Sequence, residues 1–114
     1  KIWYDIVPMS RYDVIVLSAK DDGYYTKRVI ALPNETIEIK EGRIFVNGVE
    51  RADDPIERPW EWYNAETGVG NKGIKFPKTT LKADEYFYIG DNRRDTVWGV
   101  VSMKDIRGKV MMLK

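Results

Sequence analysis

Proton-transfer chemistry in this 114-residue chain falls to lysine, tyrosine and the carboxylates, because the chain contains no histidine and no cysteine. Their absence removes Ser-His and Cys-His catalytic arrangements, disulfides and the commonest zinc ligands. Lys27 is the lysine whose setting suggests a role. It lies in Tyr24 to Leu32, a run that reads as a β-strand. Alternation sets Lys27 on one face with Tyr25, Val29 and Ala31, and Arg28 on the other with Thr26, Ile30 and Leu32. A lysine in an apolar row loses hydration of its charged form, which lowers its pKa from about 10.4 towards the ~7 to 8 that suits a general base. Such an amine can deprotonate a serine hydroxyl. Periodicity alone favours the plainer reading, a solvated edge lysine whose stem packs on its neighbours. Asp21-Asp22-Gly23 offers an acidic pair without a third hard ligand and reads as a solvated turn, so no metal or cofactor is expected.

The elements that would hold Lys27 are short and β-rich. Strands are expected near Tyr12–Leu17, Tyr24–Leu32, Thr36–Lys40, Arg43–Val46, Tyr86–Ile89, Val97–Val101 and Lys109–Leu113. Glu41-Gly42 should close a hairpin between TIEIK and RIFV, and Asn47-Gly48 favours a tight turn with positive φ. Pro33-Asn34 fits the centre of another turn. Ser102 to Ile106 reads as one helical turn, with Ser102 as its cap and Asp105 at the third position. Residues 51–82, with two of the four tryptophans (Trp60 and Trp62) in no clear period, read as an irregular insertion. Trp60, Trp62 and Tyr63 suit either a membrane-facing patch or the insertion's own small core. The expected architecture is all-β, one domain over residues 1–114, a barrel or sandwich.

Charge and hydropathy exclude further classes. The 19 basic and 18 acidic residues are spread along the chain, which argues against nucleic acid as a partner. Apolar stretches such as Val14 to Leu17 and Val110 to Leu113 are far shorter than the ~18 to 20 residues that span a bilayer. The chain opens at Lys1 without an initiator methionine and is expected to be a piece of a longer one.

Three ordered blocks carry a resemblance. The run KRVIALPNETIEI from Lys27 to Ile39 resembles KRVIGLPGDTIEI, the lysine motif of bacterial type I signal peptidases. Arg11 to Leu17 resembles their RGDVVVF strand, with tyrosine where glycine is usual. Tyr86 to Arg93 resembles the block ending in GDNR, and Gly99 with Ile106 to Val110 resembles the closing WG and I-x-GKV segments. The resemblance implies a signal-peptidase-like β-barrel or sandwich and a serine endopeptidase with a Ser-Lys dyad, in which Lys27 is the general base. It further implies a supporting set of Arg28, Asp91, Asn92, Arg93, Asp95 and Thr96, with the Thr96 hydroxyl holding the amine.

Two departures bear on activity. The family's nucleophile lies in an SMxPT segment before the RGDVVVF strand, and no such segment is present; the ungapped alignment ends it just before Lys1. Ser10, in Pro8-Met9-Ser10, reads as a loop residue. The fragment is therefore expected to be inactive by itself. The GDNRxxSxDSR block is also shortened, with Thr96 at its first serine or, in another alignment, Asp95-Thr96 standing for Asp-Ser.

The resemblance implies signal-peptide-bearing precursors as partners and a bacterial cell membrane held through an anchor outside this chain, the catalytic domain lying on the extracytoplasmic side. A strand edge left open by a missing segment would suit an oligomer. The alternative reading is a non-catalytic relative serving as accessory or chaperone in pilus or surface-protein assembly.

Overall fold

A computed structural model describes residues 9–18, 23–40, 43–51, 53, 63–64, 69–70, 76–91 and 97–110. Eleven strands carry the described fold: β1 (Val14–Ser18), β2 (Tyr24–Ala31), β3 (Thr36–Lys40), β4 (Arg43–Val46), β5 (Val49–Glu50), β6 (Tyr63–Asn64), β7 (Val69–Gly70), β8 (Phe76–Thr80), β9 (Glu85–Ile89), β10 (Trp98–Ser102) and β11 (Ile106–Lys109). They form a five-stranded sheet in the order β10-β9-β2-β1-β11, a four-stranded sheet β5-β4-β3-β8 and a two-stranded ladder β6-β7. All pairings are antiparallel.

The two larger sheets pack face to face. Ile37 and Ile39 of β3, with Ile44 and Val46 of β4, meet Ile30, Ala31, Phe87 and Ile89 from β2 and β9. Alternation in TIEIK and RIFV sends every second residue inward, so these strands form where their pattern indicates. Phe76 of β8 closes the layer against Phe87, ring centroids 4.8 Å apart.

A second cluster lies on the other face of the five-stranded sheet and takes a side chain from every strand: Val101, Tyr86, Val29, Ile15 with Leu17, and Ile106. The outer strands β10 and β11 are joined by only one 3₁₀ turn, Met103–Asp105. A flat sheet would hold them about 19 Å apart, four spacings of ~4.8 Å, whereas three 3₁₀ residues span roughly 6 Å. The sheet must therefore curl around this cluster. It does not close, since β10 and β11 share no ladder among the described residues. The architecture is a sandwich with one coiled sheet, all-β as expected.

Turn chemistry agrees with the residues. Asn47 and Gly48 take φ of 53° and 81° between β4 and β5, and Asn34 takes 69° with the Glu35 N–H donating to the Leu32 carbonyl at 3.1 Å. Three details differ from expectation. Within residues 51–82, Phe76–Thr80 is a regular strand on β3, with Pro77 at a shifted register where a missing N–H is tolerated. The last strand among the described residues begins at Ile106 and not at Lys109. Ser102 caps nothing with its side chain; its hydroxyl donates to Asp84 at 3.0 Å. Glu41-Gly42, Asp21-Asp22, Trp60 and Trp62 lie outside the described residues.

Candidate functional site

Lys27 sits in β2 opposite Ile15 of β1, so it shares the concave face with Ile15, Leu17 and Val29. It is half-buried, and its ammonium stands 5.7 Å from the centroid of the Tyr25 ring, a cation–π arrangement on a ring that is itself 51% exposed. The expected face holds for Val29 but not for Ala31. The register between β2 and β9 shifts between Val29 and Ala31, leaving Ile30 as an extra residue, so Ala31 joins Ile30 in the inter-sheet cluster. Leu32 correspondingly packs against the concave cluster.

Arg28 points to the opposite face and fastens the surroundings. Its Nε and Nη2 donate to the two Asp91 carboxylate oxygens at 2.8 and 2.7 Å, and its Nη1 donates to the Tyr12 carbonyl at 2.8 Å. Carrying the β2–β9 register one step past Arg28–Ile89 sets Lys27 beside Gly90, which brings no side chain. The Gly90 N–H donates to the Val97 carbonyl at 3.4 Å, so Gly90 and Val97 meet next to the lysine strand. The structure thus brings Arg28 and Asp91 together near Lys27. Asn92, Arg93, Asp95 and Thr96 lie outside the described residues.

The approach to β1 is fixed by two further ion pairs. Arg11 Nη1 and Nη2 grip Glu35 at 2.8 and 2.7 Å, while Arg11 also donates to the Ile30 carbonyl and the Leu32 N–H donates to Glu35 at 2.7 Å. Burial opposes the charge on Glu35, but the Arg11 guanidinium and the Leu32 N–H outweigh it and hold the carboxyl below its ordinary range. Lys109 Nζ lies 2.9 Å from Asp13 Oδ2, which also accepts the Ser10 N–H at 2.8 Å. This second pair was not anticipated from the sequence; only the pairing of β1 with β11 brings its members together.

The three serines all lie within the described residues. Ser10 is exposed in the turn before β1, Ser18 accepts from Arg107 Nε at 2.6 Å, and Ser102 serves Asp84. Tyr88 lies over Gly99, the Tyr88 hydroxyl 3.4 Å from where a Cβ would stand. Among the described residues no group of histidine, cysteine, aspartate or glutamate is arranged to hold a metal ion.

A sequence model of the family described as signal peptidase, peptidase S26, matches residues 1–113. The chain belongs to this family. It is similar to signal peptidase I P of Bacillus subtilis subsp. natto, 35% identical over 112 residues, with 86% of this chain and 55% of that protein covered. It is also similar to signal peptidase I of Bacillus caldolyticus, 36% identical over 118 residues, with 96% and 64% covered. The chain therefore spans between half and two thirds of these relatives. The crystal structure of a signal peptidase I from Enterococcus faecalis V583 shares the fold, with a TM-score of 0.70 at 24% identity over 91% of this chain and 97% of that one. Among the described residues no helix is long and apolar enough to cross a membrane.

Proposed function

We propose that this chain is the catalytic portion of a signal-peptidase-I-like serine endopeptidase that cleaves signal peptides from secreted or surface precursors, with Lys27 as general base. Membership of the signal peptidase family supports the class of reaction. The observation that carries the residue assignment is the half-buried Lys27, on the same sheet face as Ile15, Leu17 and Val29, with its amine over the Tyr25 ring. In its neutral form an amine so placed can accept a hydroxyl proton.

In this reading a serine from a segment before Lys1 attacks the scissile carbonyl, and Lys27 takes its proton and returns it to the leaving amine. Thr96 orients the amine, and it directly precedes Val97, whose carbonyl is tied to Gly90 beside Lys27. Arg28, Asp91, Asn92, Arg93 and Asp95 form the supporting set, and the two Arg28–Asp91 hydrogen bonds support that assignment for the first pair. The precursor binds in extended form against a sheet edge, where main-chain bonds fix its position. The anchor lies outside this chain, and the domain works on the extracytoplasmic side of the bacterial membrane.

Incubation with a precursor peptide tests the scheme. Residues 1–114 are expected to cleave nothing, and the protein extended through the preceding family segment is expected to cleave at the signal junction. Turnover by residues 1–114 alone would place the nucleophile among residues already present and overturn the scheme.

A further inference from the structure

Asp13 stands between two lysines. Ile15 of β1 is paired with Lys27 of β2 on one side and with Lys109 of β11 on the other. Asp13 lies two residues earlier on the same strand line, its carbonyl accepting the Val29 N–H at 2.8 Å, so it occupies the same face as Ile15. It is a diagonal neighbour of both lysines, a separation of about 7 to 8 Å between backbones that long side chains bridge. The carboxylate goes to Lys109, at 2.9 Å, in a pair whose side chains are only 14% and 22% exposed. Lys27 has no ion pair among the described residues and stands over the Tyr25 ring instead.

We infer that Lys109 is a positioning residue for Lys27: by holding the Asp13 carboxylate it keeps that carboxylate off the Lys27 amine. The inference rests on the reading of Lys27 as general base. An ammonium paired with a partly buried carboxylate is held in its charged form and cannot accept a proton from a hydroxyl until the pH is raised. The charged and titratable groups that share the sheet face of Lys27 among the described residues are Asp13 from β1, Lys109 from β11, Tyr86 and Tyr88 from β9, and Tyr25 on its own strand, the last against the amine. Asp13 is the one anion at neutral pH in that set, so its allegiance decides the electrostatics of the amine. The Ser10 N–H on the same oxygen steers the carboxylate but brings no full charge.

The test is the pH profile of kcat/KM for precursor cleavage by the full-length protein. Lys109→Met frees Asp13 for Lys27, so the acidic limb moves up by about one pH unit and the rate at neutral pH falls about tenfold. Lys109→Arg keeps the pair and restores the profile. Asp13→Asn with Lys109→Met removes both charges and returns the limb to its wild-type position. Asp13→Asn alone leaves a second ammonium on the same face and moves the limb down. A uniform loss of rate with an unmoved limb in Lys109→Met, or a double variant shifted as far as the single one, overturns the inference. Should melting curves show Lys109→Met unfolded, Asp13→Asn decides, since a limb that stays or moves up contradicts it. Cleavage that survives Lys27→Ala would instead overturn the general-base reading.

Discussion

Tyr12 holds its backbone at φ 73°, in the left-handed region where a Cβ is strained. Its surroundings sustain that conformation: the Tyr12 N–H donates to the Val29 carbonyl at 2.7 Å, its carbonyl accepts from Arg28, its ring packs on the inter-sheet cluster, and its hydroxyl donates to Asp53 at 2.7 Å. The glycine expected there from the family pattern is thus explained by the backbone, and the tyrosine by its ring and hydroxyl. Tyr12→Ala keeps the strain and discards the ring, whereas Tyr12→Gly discards both. Tyr12→Gly should therefore be more stable than Tyr12→Ala by about 1 kcal/mol in denaturant melts; equal stabilities would show that the positive φ carries no cost. At this scale the motif singled out Lys27, Arg28 and Asp91, because each occupies a fixed position in a local block, and Arg28 and Asp91 do meet. Asp13 and Lys109 are 96 positions apart in the sequence and meet only through strand order, so no local pattern announced them.

The turn from β2 to β3 carries the chain from the five-stranded sheet to the four-stranded one, and Glu35 is its fastening. Arg11 and the Leu32 N–H hold the carboxylate, and Arg11 also takes the carbonyl of Ile30, the extra residue at the register shift. The folded state holds Glu35 below its ordinary range, so its stabilising contribution is present above the unfolded value of roughly 4.3 and is lost as pH falls through the lower, folded value. Glu35→Gln should cost about 2 kcal/mol at pH 7 and flatten the acid limb of stability against pH, read from thermal melts between pH 7 and 3. A parent and variant with parallel acid limbs would deny Glu35 this role. Strand boundaries followed the alternation where it was strict, as in β3 and β4. They failed at β8, where FPKTT has no alternation and pairing with β3 defines the strand, and at β11, where IRGK is interrupted by Arg107 and Gly108 while the apolar run after it attracted the assignment.

The whole molecule combines a sandwich interior with a separate concave cluster, and Lys27 belongs to the second. The inter-sheet layer of Ile30, Ile37, Ile39, Phe87 and Ile89 forms the sandwich interior, while the curl of the five-stranded sheet brings Lys27, Asp13 and Lys109 onto one face, with the bonded pair Gly90 and Val97 beside it. Curling follows from the short connection between β10 and β11, a relation across the full sheet that no single segment discloses. The scheme places proton transfer at one amine of this face. The most direct measurement is cleavage of a precursor peptide by the full-length protein and by its Lys27→Ala variant, with far-ultraviolet circular dichroism confirming that both fold. The account predicts that kcat/KM falls by at least about 10³-fold in the variant; cleavage at the parent rate by a folded Lys27→Ala protein would contradict it.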